Sequence, residues 1–155
     1  MRGWPFIFVS LFSATACAHE IKVTPLTAAD VPALLKAPAH GERIIMLWAL
    51  DCVYCVPNMQ ALDKLQQAYP EKIKLLTVAT DSISLHDQIA KHLQVAGMQA
   101  YAARAYAEAT PQRINFLIDP GWGGEMPRTL VIRADGSRLG ISGELTAAQL
   151  RRITP

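Results

Sequence analysis

The chain has 155 residues, of which 51% are hydrophobic and 18% are charged, and its formal net charge is +2 at pH 7. That length suits one domain with a hydrophobic core of its own. The nearly balanced charge excludes the broad basic surface that is typical of nucleic-acid-binding proteins, so we expect no nucleic-acid partner.

The first 18 residues have the pattern of a secretory signal peptide: one positive charge, a short apolar run and then small residues. The run is shorter than the roughly 20 apolar residues that span a membrane. Two processing sites compete, because Ala16-Cys17-Ala18 predicts cleavage before His19, whereas Thr15-Ala16-Cys17 is similar to a bacterial lipobox. We therefore expect a periplasmic or otherwise exported domain over residues 19–155, anchored to a membrane only if Cys17 is lipidated.

Hydrophobic patterning predicts strands that alternate with helices. Continuous apolar runs bounded by turn residues are typical of strands buried on both faces, and apolar residues at helical spacing indicate helices. In chain order, we expect a short edge strand or extended arm over 20–27 and strands over 43–49, 74–80, 128–133 and 138–142, the last two as a hairpin. We expect one helix that ends near 35 and others over 53–68, 84–97, 111–117 and 147–153. The alternation predicts a parallel α/β core. The secondary structure of residues 99–106 is left undecided, because their alanines favour a helix while the alternation of strands and helices favours a strand.

Cys52 and Cys55 lie where the strand over 43–49 meets the next helix. Oxidising compartments permit disulfides, so an exported C-x-x-C pair can cycle between dithiol and disulfide. Unpaired N–H groups and the dipole at a helix start favour negative charge, so we expect a lowered pKa for the Cys52 thiol. Cys52 would then be the nucleophile, and Cys55, one turn further on, would close the disulfide.

The cysteine pair has other interpretations. Attachment of a c-type haem needs a His directly after the second Cys, where this chain has Val56. A structural zinc site needs about four ligands, and His40, His86 and His92 stand at no finger-like spacing. A zinc site, copper binding through the two thiolates and an inert buried pair all stay open. The histidines fall in no motif, and we expect them on the surface.

Two separated segments, Trp48-Ala49 with Cys52-Val-Tyr-Cys55, and the run from Gly124 to Gly136, together resemble the thioredoxin-like superfamily. Within it, they are similar to the exported TlpA/ResA-type thiol-disulfide oxidoreductases. The resemblance implies a thioredoxin-like α/β sandwich with a central mixed β-sheet flanked by helices. It also implies that the redox-active pair is the only cofactor, and that the partners are thiol or disulfide proteins of the same compartment, including a membrane-bound electron donor.

The resemblance also implies a substrate groove beside the pair. Met126-Pro127 would be a cis peptide packed against the cysteines, and the backbone of Met126 would pair with an extended substrate segment. From its place between the cysteines, we expect Tyr54 to be exposed, and it would either contact partners or stand where any residue is tolerated. Trp122 would either form a wall of the groove or cover the core.

The chain departs from the family pattern at three positions. Asp51 replaces the usual Trp before the first cysteine, and its carboxylate would oppose formation of the Cys52 thiolate if it faces the sulfur. Asn58 stands where the family often has a Glu, and an amide cannot relay a proton. Met46 falls near the position of the buried acid of cytosolic thioredoxins. The direction of electron flow therefore does not follow from the resemblance.

Overall fold

A computed structural model describes residues 21–155, so the predicted leader and Cys17 lie outside the described residues. The strands are β1 (Val23–Leu26), β2 (Glu42–Trp48), β3 (Ile73–Ser82), β4 (Ala102–Tyr106), β5 (Arg128–Arg133) and β6 (Arg138–Ser142). The helices are α1 (Val31–Leu34), α2 (Cys55–Ala68), α3 (His86–Val95), α4 (Pro111–Ile118) and α5 (Ala147–Arg152). In this part of the chain, no helix is both long and apolar enough to cross a membrane.

The six strands form one mixed sheet in the order β1-β4-β3-β2-β5-β6. The first four strands in this order are mutually parallel, whereas β5 pairs antiparallel with β2 and β6 antiparallel with β5. Connections between parallel strands run through helices, which cover both faces of the sheet. The expected mixed sheet flanked by helices is confirmed.

Strand β2 separates two hydrophobic clusters. Ile44, Met46 and Trp48 point to the side where α2 and α3 pack, and Ile45 and Leu47 point to the side of α1 and α4. All five side chains are fully buried. This pattern follows from the period of two residues along a strand, and it explains why β2 reads as one continuous apolar run.

Several predicted boundaries are set by local chemistry that the structure reproduces. Helix α3 ends at Val95, and Gly97 (φ 77°) forms its left-handed cap, which the Met98 N–H closes by donating to Leu93 C=O at 2.9 Å. Thr146 begins α5 with a reciprocal capping box to Gln149. The Gly136 turn joins β5 to β6 as expected.

The sequence pattern left one segment open and placed the start of α2 too early. The open segment 99–106 contains β4, because pairing with β1 on one side and β3 on the other outweighs the helical preference of its alanines. Helix α2 begins at Cys55 and not at Val53, because the residues before it form a turn closed by the Cys55 N–H and the Cys52 carbonyl, 3.2 Å apart.

Candidate functional site: a cysteine pair at the end of a central strand

Two consecutive turns carry the chain from β2 into α2. Cys52 N–H donates to Ala49 C=O at 3.1 Å, and Cys55 N–H donates to Cys52 C=O at 3.2 Å. Cys52 therefore lies three residues before the first helical residue, outside the first turn of the helix. Pro57 stands in that first turn, where a missing N–H costs little.

Strand β3 supports this segment from the side. The Thr80 hydroxyl donates to the carbonyl of Trp48 at 3.3 Å, and the N–H of Leu50 donates to Asp81 Oδ2 at 2.9 Å. Sequence reasoning missed both contacts, although the carboxyl ends of neighbouring parallel strands must meet at one edge of a sheet. The backbone just before the cysteines is thereby fixed to the central sheet.

Cys52 and Cys55 form a disulfide, with Cα atoms 5.5 Å apart and an S–S distance of 2.07 Å. The two cysteines differ in exposure. Cys55 has 0% of its surface exposed and packs in the same cluster as Met59, whereas Cys52 is half-buried at the protein surface. A partner molecule can therefore approach only the Cys52 side of the bond.

The residues next to Cys52 are open to solvent. Val53 is 78% exposed and Tyr54 is 60% exposed, so two large apolar or aromatic side chains stand beside the outer cysteine. Asp51 is also exposed. A contact of Tyr54 with a partner and an effect of Asp51 on the Cys52 thiol both stay predictions.

Met126-Pro127 is a cis peptide, as predicted. Arg128, the next residue, pairs with Leu47 of β2, so Pro127 lies beside Trp48 at the edge of the sheet from which the cysteine segment leaves. Pro127 is buried and Met126 is half-buried. The cysteine pair thus follows the end of β2, and Pro127 immediately precedes the start of the neighbouring strand β5.

Trp122 holds the loop before Pro127 in place. The side chain is 5% exposed, packs against the cluster that contains α4, and donates its indole N–H to Glu125 C=O at 2.9 Å. The loop is also fastened by an ion pair between Arg128 and Asp119. Trp122 covers the core in this arrangement, and its contact with a substrate stays a prediction.

His92 corrects the expectation that the histidines are surface residues. Its ring stacks on Trp48 with centroids 4.9 Å apart and an angle of 22° between planes, and its Nε2 is buried without a hydrogen-bond partner. His92 lies three residues after Ile89 and next to Leu93, both buried on the inner face of α3, so helical geometry turns it towards β2. His40 and His86 are exposed as expected.

Asn58 is buried one turn beyond Cys55, with 1% of its surface exposed. Its amide is satisfied at both ends by the backbone of residues 143–145. Among residues 21–155, no group of three or more His, Cys, Asp or Glu side chains is arranged to hold a metal ion.

Comparison with solved structures places this fold among known ones. A thioredoxin-related protein from Neisseria meningitidis serogroup B is 26% identical, with a TM-score of 0.56 over 77% of this chain and 84% of that one. A thiol:disulfide interchange protein of the thioredoxin family from Chlorobium tepidum is 22% identical, with a TM-score of 0.57 over 79% and 81%. A secreted disulfide oxidoreductase from Mycobacterium tuberculosis is 16% identical, with a TM-score of 0.52 over 74% and 78%.

No protein-family model matches the sequence, and no curated protein is similar to it at a significant level. The fold and the site nevertheless define a class: an α/β protein with a C-x-x-C disulfide after the carboxyl end of a central strand and a cis-proline just before the neighbouring strand. The chain is a member of the thioredoxin-like superfamily.

Proposed function

We propose that this protein is an exported thiol-disulfide oxidoreductase of the TlpA/ResA type, with Cys52 as nucleophile and Cys55 as resolving thiol. The observation that carries the proposal is the unequal exposure of the Cys52–Cys55 disulfide, whose outer cysteine is half-buried and whose inner cysteine is fully buried. The attacking sulfur must meet a partner's sulfur, whereas the resolving sulfur only has to meet its neighbour. The arrangement therefore suits repeated exchange.

The exchange proceeds in two steps. In the reducing direction, the Cys52 thiolate attacks one sulfur of a partner disulfide, the partner's S–S bond breaks, and a partner thiolate leaves. The Cys55 thiolate then attacks Cys52 Sγ, which re-forms the internal disulfide and releases the second partner thiolate. The partner gains two electrons and the cysteine pair loses two, and the oxidising direction is the reverse.

The remaining groups have supporting roles in the proposal. The backbone of Met126, next to the cis-proline Pro127, would pair with an extended partner segment, and Tyr54 and Trp122 would border that segment. The exchange needs no organic cofactor, because the electrons move with the sulfur bonds. Another exported or membrane-bound thiol protein would restore the starting redox state.

Export is supported by the leader pattern of residues 1–18 and by the secreted character of the Mycobacterium tuberculosis protein of similar fold. The mass of the N-terminal peptide, measured on protein expressed in a bacterium with both export routes, tests this part. A start at His19 indicates cleavage, a lipid on Cys17 indicates anchoring, and an intact Met1 would contradict export.

Activity is tested by the rate at which residues 19–155 catalyse reduction of a protein disulfide by dithiothreitol. We expect catalysis from the natural protein and none from Cys52→Ser. The proposal would be refuted if the natural protein did not raise the rate above that of dithiothreitol alone, although a thiol reagent detected two free thiols in its reduced form. A reduction potential near about −270 mV would indicate a reductant, and one near about −120 mV an oxidant.

The alternative, a copper chaperone that uses the same two thiolates, makes a different prediction. Soft thiolates bind Cu(I), so anaerobic titration of the reduced protein would then give tight, stoichiometric binding. Stoichiometric copper without disulfide exchange would favour the chaperone. Exchange without tight copper binding would favour the oxidoreductase.

A further inference from the structure

The Asn58 side chain joins α2 to the connection between β6 and α5. Its Nδ2 donates to the carbonyl of Gly143 at 2.9 Å, and its Oδ1 accepts from the N–H of Leu145 at 2.9 Å. Since Asn58 is 1% exposed, water cannot replace either partner. One amide therefore fixes the helix that begins at Cys55 to a loop that lies more than 80 residues away in sequence.

The same loop holds the backbone at Pro127. The N–H of Gly143 donates to the carbonyl of Pro127 at 2.8 Å. Gly143 has a φ of 84°, which lets its N–H and its carbonyl serve these two partners from a left-handed turn. Hydrogen bonds thus run from the Asn58 side chain through Gly143 to Pro127, and they link the cysteine helix to the start of β5.

We propose that Asn58 is a positioning residue that fixes the spacing between the cysteine pair and the substrate-binding backbone at Met126-Pro127. The inference rests on the proposed function. Disulfide exchange needs the attacking, central and leaving sulfurs in line, so the docked partner segment and Cys52 must keep a fixed relation. Asn58 supplies this through its hydrogen bonds to Gly143 and Leu145.

The chemistry of the side chain explains why an amide stands here. Gly143 offers a carbonyl and needs a donor, whereas Leu145 offers an N–H and needs an acceptor. An amide has both at the end of one short side chain, but a carboxylate has only acceptors. The residue that sequence reasoning treated as a lost proton relay is therefore suited to a different task.

The test compares Asn58→Ala with Gln66→Ala. Gln66 is a matched control, because it lies on the same helix and its Oε1 accepts a backbone N–H, that of Leu75, at 2.7 Å, outside the cysteine site. For each variant, kcat and KM are measured with a protein disulfide, which docks along the backbone, and with a small aromatic disulfide, which does not. Urea unfolding records stability alongside.

We expect Asn58→Ala to raise KM for the protein disulfide about tenfold, the effect of losing one or two hydrogen bonds that hold the docking backbone. The rate with the small disulfide should change less than about twofold. Gln66→Ala should lose stability and leave both substrates unaffected. Unchanged KM for the protein disulfide in Asn58→Ala would overturn the inference.

A second variant covers the case in which Asn58→Ala fails to fold. Asn58→Asp is nearly the same shape, keeps the acceptor for Leu145 and loses the donor for Gly143 while ionised. Protonation restores an O–H donor, and burial brings protonation within reach by raising the pKa of the new carboxyl. Its KM should therefore approach that of the natural protein as the pH falls, and a constant ratio of the two KM values would contradict the inference.

The two proposals fail in different ways. If the natural protein reduces neither disulfide, the proposed function is wrong and the inference falls with it. If the natural protein is active and the Asn58 variants have unchanged kinetics, only the positioning role is wrong.

Discussion

Gly143 and Gly97 provide a matched test of whether the backbone near the site governs activity. Both have left-handed φ values, 84° and 77°, and a Cβ added to either would meet no other heavy atom within 4 Å. Gly97 only ends α3, whereas Gly143 is hydrogen-bonded to Asn58 and Pro127. An alanine at either position is therefore opposed by backbone conformation alone.

The expected cost is the same for both substitutions. A side chain in left-handed conformation costs about 1–2 kcal/mol per residue, so Gly143→Ala and Gly97→Ala should each lower the free energy of unfolding by that amount. With a urea slope of about 2 kcal/mol/M, the unfolding midpoint should fall by about 0.5–1 M. Only Gly143→Ala should also slow reduction of a protein disulfide. If the backbone at Gly143 shifts to relieve the strain and transition-state binding of the partner is thereby weakened by about 1.4 kcal/mol, the rate falls about tenfold.

Urea unfolding of the oxidised proteins, together with protein-disulfide reduction, measures both effects on the same samples. Equal losses of stability with full activity in Gly143→Ala would refute a role of this backbone in the site. Equal losses of activity in the two variants would show that general destabilisation is sufficient to explain the slower reduction. No loss of stability in either would refute the strain argument.

Three further predictions concern the cysteine segment. Cys55→Ser should trap mixed disulfides with partners while Cys52→Ser abolishes exchange, and alkylation against pH that finds Cys55 the more reactive thiol would reverse these roles. Asp51→Asn should raise the reduction potential, because removal of a negative charge favours the thiolate and hence the reduced form; an unchanged potential would show that the carboxylate does not act on the sulfur. Asp81→Ala should lower the free energy of unfolding by about 1–3 kcal/mol, since the Leu50 N–H loses its acceptor. Asp81→Asn keeps an acceptor and should lose less, and equal losses in urea unfolding would contradict this account.

Features carried by short stretches of sequence were predictable. The C-x-x-C spacing at the end of an apolar strand, the left-handed stop at Gly97 and the Gly136 hairpin each depend on a few neighbouring residues, and the structure contains all three. The cis peptide before Pro127 came from the family resemblance. Local chemistry and motif order were sufficient for the strands and helices that border the site.

Features that depend on distant partners were not predictable. The alanines of β4 become a strand only because two neighbours offer backbone partners. His92 is turned inwards by its position on α3, but its stacking partner Trp48 ends a strand that is distant in sequence. The partners of Asn58 lie 85 and 87 residues away. Periodicity identifies a buried face, but it does not identify which polar group meets it.

Strand β1 lies at an outer edge of the sheet in the part of the chain that the structure describes. The unpaired N–H and C=O groups of an edge strand can pair with another extended chain. Pro25 has no N–H to offer, and its carbonyl is occupied by the guanidinium of Arg104, which also pairs with Asp30 at 3.2 Å. At Pro25, this edge therefore lacks both the backbone donor and the free acceptor that an added strand would need, so pairing with another extended chain is disfavoured at this position.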